Sequence, residues 1–166
     1  MSEDDVIVTS VDGVRSVVAA PYVPPPPLWT LRGFEAAIDR PYVVPTWADS
    51  FHDGSSFYRS LPFRAYRERM RKRLDRILDR SGVEGIVAVL PEDRTHIVGY
   101  IIGEGTIIHY LFVREGRRGF GIARHLIAEW ALTHPCVEAS HDTKHGAPII
   151  RALNLTHNPL AVEGRP

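Results

Sequence analysis

The stretch Ile107-Ile-His-Tyr-Leu-Phe-Val-Arg-Glu-Gly-Arg-Arg-Gly-Phe-Gly-Ile-Ala-Arg-His-Leu-Ile127 decides the fold. Residues 107–113 are an apolar run with few polar interruptions, the pattern of a central strand covered on both faces. From about Ile122 to His134, apolar side chains return at Ile122, Leu126, Ile127, Trp130 and Ala131, which is helical spacing. Between them lies a basic loop, 114–121, that contains Gly119 and Gly121. A strand end, a glycine loop and a helix start present several backbone N–H groups in one concavity, with the positive end of the helix dipole behind them. That geometry binds phosphate. No Gly-Lys-Ser/Thr follows and the spacing G-x-G-x-x-G is absent, so this is neither a P-loop nor a dinucleotide fingerprint. The residues alone leave two readings open, a phosphate cradle or a tight turn that the glycines merely shape.

Working upstream, residues 85–90 and 96–102 read as two strands of a hairpin joined by the polar turn 91–95. Before them, Phe63, Tyr66, Met70, Leu74, Ile77 and Leu78 repeat at three and four, which predicts a helix from Pro62 to about Arg80, ended by Ser81-Gly82. The spacing further predicts a short helix over 31–38 and a second short segment over 46–52 that leads into a loop at 53–56, with Pro41 and Pro45 as breaks. Residues 14–19 read as a strand, and Pro24–Pro27 as a stiff extended connector. Downstream, 137–140 reads as a strand, 147–153 as a short helix and 160–162 as a last strand. The order is mixed α/β with antiparallel hairpins leading into a crossover.

Composition narrows the function classes. The chain has 166 residues and one cysteine, Cys136, so a core is available and an internal disulfide framework is not. The start Met1-Ser-Glu-Asp-Asp lacks a basic, apolar leader and no apolar run reaches membrane length, which leads to the expectation of a single soluble domain in the cytoplasm. The 20 basic and 20 acidic residues cancel, which argues against wholesale coating of nucleic acid or an anionic membrane. The cancellation hides a pattern. All the basic residues except Lys72 and Lys144 are Arg; residues 59–80 carry nine basic side chains against three acidic ones, and the first thirteen residues carry Glu3, Asp4, Asp5 and Asp12 with no base.

With those residues in view, Arg118-Gly119-Phe120-Gly121-Ile122-Ala123 resembles the acyl-CoA loop of the GNAT N-acetyltransferase superfamily, Gln/Arg-x-x-Gly-x-Gly/Ala after the fourth strand. Phe112-Val113, Leu126-Ile127 and the hairpin with Gly99-Tyr100 are similar to the apolar positions and strands around that loop, over residues 60–133. The resemblance implies an α+β domain with a mixed, mostly antiparallel sheet, a splayed central strand and helices on both faces. It implies acetyl-CoA as cosubstrate, no metal, and direct transfer to an amine on a small molecule or protein. Backbone N–H groups of Gly119, Phe120, Gly121, Ile122 and Ala123 would hold the pyrophosphate, with Arg118 and Arg124 supplying charge. Leu111, Phe112 and Val113 would flank the pantetheine arm, and the Leu111 N–H would stabilise the oxyanion. His109, two residues before Leu111 and expected on the same strand face, is the implied general base; its plain alternative is a core histidine with satisfied hydrogen bonds. The family's acid Tyr is missing from 145–154, leaving Ser140, His141, His157 or water for that role.

Trp47, Ser50-Phe51, Tyr66, Ile108 to Arg114 and Asn158-Pro-Leu are in addition similar to small GNAT-like proteins of tailed bacteriophages, which implies a host cytoplasmic or virion location and a non-enzymatic alternative. The segment 47–57 would border the acceptor, with Trp47, Phe51, His52 and Phe57 shaping specificity or else capping the sheet edge. The basic helix 62–80 reads as a solvated face, or as a contact for nucleic acid, an acidic acceptor or virion proteins. Among His134, Cys136, His141 and His145, the spacing His-x-x-x-His suits two ligands on one helical face, but Thr143 and Gly146 oppose a continuous helix there and no paired Cys spacing supports a metal site.

Overall fold

The computed structural model describes residues 6–11, 14–19, 28–135, 138–141 and 143–163. The acidic first five residues, the proline run 24–27, Cys136 and Val137 lie outside them. Strands β1 (Val6–Val11) and β2 (Val14–Ala19) pair antiparallel as a two-stranded sheet; β2 is the strand expected at 14–19.

The principal sheet has six strands in sequence order: β3 (Thr30–Gly33), β4 (Val83–Leu90), β5 (Asp93–Glu104), β6 (Ile107–Val113), β7 (Glu138–Ala139) and β8 (Thr156–His157). The pairs β3 through β6 are antiparallel, while β6–β7 and β7–β8 are parallel. One face packs against helices α1 (Ala36–Gly54) and α3 (Phe63–Leu78); a four-residue helix α2 (Ser56–Arg59) joins those two. Trp47, Tyr66, Leu74, Tyr100, Ile102 and Tyr110 form part of the core on that side. The other face packs against α4 (Ile122–Ala131), where Val98, Ile101, Ile108, Ile122, Leu126 and Trp130 meet. A Cβ at Gly103 would stand 2.5 Å from Trp130 Cζ2 and 2.6 Å from the Ile107 carbonyl oxygen, so only glycine lets the indole lie on β5 there.

Several expectations are corrected. The segment 31–38 is not one helix; only its last three residues are helical. Thr30–Gly33 is an edge strand on β4, and one long helix, α1, follows, running straight through Pro41 and Pro45 and absorbing the segment 46–52 and the start of the 53–56 loop. Ala37, Pro41 and Pro45 recur every four residues along α1, the first two exposed and Pro45 half-buried. Each proline leaves the carbonyl four residues before it, that of Ala37 or Pro41, without its helical N–H partner. The helix start is held by Asp39, fully buried, which takes two 2.7 Å bonds from the Arg32 guanidinium of β3 and a third from the Glu35 N–H. Phe63 drops out of the buried stripe of α3 and stays 46% exposed beneath Arg67. Helix α4 ends at Ala131 rather than at His134. The last strand is Thr156–His157, while Pro159–Glu163 is a 3-10 turn; Pro159 has no ladder donor, and Asn158 Oδ1 accepts from the Leu160 N–H.

Candidate active site

The site is built by one extra residue in β6. Across β5, Ile102 faces Tyr110 but Gly103 faces Ile108, so His109 is a bulge residue. On the far side, Ile108 and His109 both turn their carbonyls toward Ser140: Ile108 O accepts the Ser140 N–H at 3.0 Å and His109 O lies 3.3 Å from Ser140 Oγ. Beyond the bulge the ladder is regular. The Arg114 N–H bonds Val98 O, and stepping back by two sends the peptide groups of Phe112 and Tyr110 to β5 as well. By the same alternation, the N–H and C=O groups of Leu111 and Val113 point away from β5. On that side β7 pairs only with Ile107 and Ile108 and then diverges. The sheet splays and a cavity of about 290 Å³ opens, lined by Leu111, Val113, Arg118, Ala123, Ala139, His141, His145, Ile149 and Ile150, the last two from helix α5 (Ala147–Ala152).

The glycine loop closes one end of this cleft. Gly119 and Gly121 sit at φ +84° and +87°, a region costly for any residue with a Cβ, and a Cβ at either would meet nothing within 4 Å. The loop is thus both strained toward glycine and open to close approach. The first bond of α4 runs from the His125 N–H to Gly121 O, which leaves the N–H groups of Ile122, Ala123 and Arg124 without a helical partner. Arg118 lines the cavity with its Nε on Val113 O at 3.2 Å, Arg124 is exposed, and the Phe120 ring is 55% exposed. Arg114 serves elsewhere: it reaches His96 Nε2 at 2.9 Å and the Tyr42 hydroxyl at 3.3 Å, and its guanidinium covers the Tyr42 ring.

His109 is buried, and the bulge overturns the expectation that it shares a face with Leu111. His109 and Tyr110 lie consecutively on the α1/α3 face, where His109 Nε2 meets Glu104 Oε2 at 3.4 Å, whereas Leu111 packs with the α4 cluster. Burial pushes the His109 imidazole pKa down against the opposing pull of Glu104, so the ring is neutral at pH 7. Nδ1 of His109 lies 3.0 Å from Ser140 Oγ, which is 2.7 Å from His141 Nδ1. Burial pushes His141 further down, to about 3. Glu104 and the bulge were not legible in the sequence, because both depend on how β5 and β6 pair.

Trp47 and Phe51 stand one layer behind the cavity. Trp47 is fully buried and stacked on Tyr110 at 5.0 Å, and Phe51 sets its edge to His141 at 4.5 Å. His52 is buried between Phe63 and Tyr66, Phe57 is 66% exposed, and His157 is exposed outside the cavity lining. Tyr110, which lines the cavity, bonds Ser50 Oγ at 2.9 Å, and burial pushes its hydroxyl up to about 12. On the basic helix, Arg64, Arg67 and Arg71 pair with Glu68, Asp49 and Asp75. His134 stacks on Trp130 at 4.2 Å, and among the described residues no three metal-ligating side chains converge. Among the same residues no helix is long and apolar enough to cross a membrane.

No protein-family model matches the chain, and no curated protein matches it in sequence. Solved structures do match. A candidate acetyl transferase from Pyrococcus furiosus aligns at 16% identity and a TM-score of 0.55, over 78% of this chain and 94% of its own. A transcriptional regulator from Bacillus halodurans C-125 aligns at 17% identity and a TM-score of 0.50, over 76% of this chain and 89% of its own. A ribosomal-protein-alanine N-acetyltransferase from Brucella melitensis biovar Abortus 2308 aligns at 17% identity and a TM-score of 0.47, over 75% and 90%. The likeness is one of fold, and the mixed six-stranded sheet, splayed beside β6 with helices on both faces, is the fold of the GNAT acetyltransferases.

Proposed function

We propose that the protein transfers an acetyl group from acetyl-CoA directly to a primary amine on a small molecule or a protein. The observation that carries this is the bulge at His109. It turns the peptide groups of Leu111 and Val113 into a cleft that ends at the left-handed glycines of the α4 loop. These residues fit coenzyme A along its length. N–H groups of Gly119 to Arg124 and the charges of Arg118 and Arg124 suit the pyrophosphate. Leu111 and Val113 would offer the pantetheine amides a strand-like partner, and the Leu111 N–H would receive the oxyanion as the amine attacks the thioester carbon.

The attacking nitrogen must lose a proton as the C–N bond forms and the C–S bond breaks. His109, neutral and held by Glu104, is the acceptor in this reading. Tyr110 is unsuited to protonating the leaving thiolate, because a phenol near 12 is a far weaker acid than an ordinary thiol near about 8.5. The acceptor side takes its shape from His141 and His145, with Trp47 and Phe51 fixing His141 from behind.

Release of free thiol from acetyl-CoA in the presence of an amine panel tests the assignment. Turnover is expected with at least one amine, and His109→Gln should lower kcat by roughly a hundredfold or more with KM for acetyl-CoA unchanged. An unchanged kcat would remove His109 as the base. Acetyl-CoA binding without turnover of any amine would favour the competing reading, a non-enzymatic or virion-associated use of the same fold.

A further inference from the structure

His109 is among the residues lining the cavity, but its side chain has no exposed surface, and the groups it touches lead away from it in two directions. We propose that His141, not His109, meets the acceptor amine, and that Ser140 carries the proton from His141 to the His109–Glu104 pair. The inference rests on the acetyltransferase reading above and names the proton path within it.

Hydrogen-bond polarity sets the direction. Glu104 is held by Arg80 Nη1 at 3.2 Å on the same Oε2 that lies 3.4 Å from His109 Nε2. An ionised carboxylate only accepts, so His109 carries its proton on Nε2 and leaves Nδ1 as an acceptor. Among the described residues Nδ1 has one neighbour able to donate, the Ser140 hydroxyl at 3.0 Å; the other acceptor near that hydroxyl, His109 O, is more distant at 3.3 Å. With its one proton given to His109, Ser140 Oγ must accept from His141 Nδ1 at 2.7 Å. His141 is then protonated on Nδ1, and Nε2 is left with a lone pair in the ring that lines the cavity. The rings of Trp47, Phe51 and Tyr110 stand in T-shaped contact with that imidazole and hold it in place.

The transfer balances as a chain of hops. The amine N–H proton goes to His141 Nε2, the His141 Nδ1 proton to Ser140 Oγ, and the Ser140 proton to His109 Nδ1. The net change is one proton, lost by the amine and resident on His109 beside the Glu104 carboxylate. The relay moves positive charge away from a ring that cannot keep it. Burial opposes a charge on His141 most, His109, Arg73 of α3 and His157 of β8 oppose it further, and a bond to the His109 backbone offsets them only in part. Glu104, with its side chain 32% exposed, is where the chain reaches solvent.

Nitrogen-15 histidine labelling tests this, because two-bond proton–nitrogen spectra report which ring nitrogen bears hydrogen. Wild-type protein at pH 7.5 should show His141 as the Nδ1–H form and His109 as the Nε2–H form; the reverse at either ring overturns the proposal. Ser140→Ala should shift His141 toward the Nε2–H form that dominates in free histidine. It should also lower kcat for the best amine of the panel at least tenfold with acetyl-CoA KM unchanged, and an unchanged kcat overturns the relay. Acetyl-CoA titrated into the same labelled sample separates the two claims: expected tautomers without binding overturn the transferase reading and the catalytic use of the chain, whereas binding with reversed tautomers overturns the relay alone.

Discussion

Lowering the pH from 7.5 to 5.0 should cost the fold about 2 kcal/mol through His141 alone. Burial is the first cause of its low proton affinity, followed by His109 and Arg73, and together they bring the imidazole from the ordinary 6.5 to about 3. In the unfolded chain the ring titrates near about 6.5. Between the two values the unfolded chain binds a proton that the folded chain refuses, so stability falls as pH falls through 6.5 and levels off only near 3. At pH 7.5 the difference is negligible. At pH 5.0 the unfolded ring is protonated about 97% of the time and the folded ring hardly at all, which amounts to ~2 kcal/mol, with His109 adding in the same direction. For a domain of this length that is a melting shift of roughly 4–8 °C. Urea unfolding at pH 7.5, 6.5 and 5.0, for wild type and His141→Gln, gives the test. The wild type should lose stability steadily over this window and the variant should lose ~2 kcal/mol less. Equal losses in both proteins, or a flat wild-type profile, would refute the burial argument.

Other perturbations probe the scaffold around the cleft. Gly121→Ala meets no atom but must hold φ near +87°, so it should cost ~1–2 kcal/mol of stability and weaken acetyl-CoA binding as the loop relaxes; a thermal melt with and without acetyl-CoA checks both. Asp39→Asn leaves the Arg32 guanidinium, itself only 10% exposed, with only the more distant and half-exposed Glu35, at 3.8 Å, as a charge partner at the junction of β3 and α1. A loss of about 3–5 kcal/mol is expected in urea unfolding, and a change below about 1 kcal/mol would show that the pair does not hold that junction.

The strand, loop and helix of residues 107–131 were legible in the sequence because their signals are local: a continuous apolar run, two glycines, then helical periodicity. The hairpin β4–β5 and helix α3 were legible for the same reason. Helix α1 was not. Two prolines read as breaks, yet the helix continues through them because Val43, Val44, Trp47 and Ala48 anchor it in the core. The segment 31–33 has too few residues to declare its period, and its strand state is set by Ile86 to Ala88 of β4 across the ladder. In the site, the residue types were visible but their relation was not. His109 appears two places from Leu111 in the chain, and a one-residue bulge, invisible without its β5 partner, puts the two on opposite faces. Glu104 carries no signal until the turn at Gly105, with φ +56°, brings it beside His109.

The central claim, that the α4 loop and the splayed strand bind coenzyme A, is tested most directly by calorimetric titration of acetyl-CoA into wild type and Gly121→Glu. A carboxylate at the helix start puts negative charge where the pyrophosphate is to sit. Saturable binding by the wild type, lost in a variant that still melts cooperatively, is the predicted result. No heat of binding at millimolar acetyl-CoA, or equal binding by both proteins, would contradict the account.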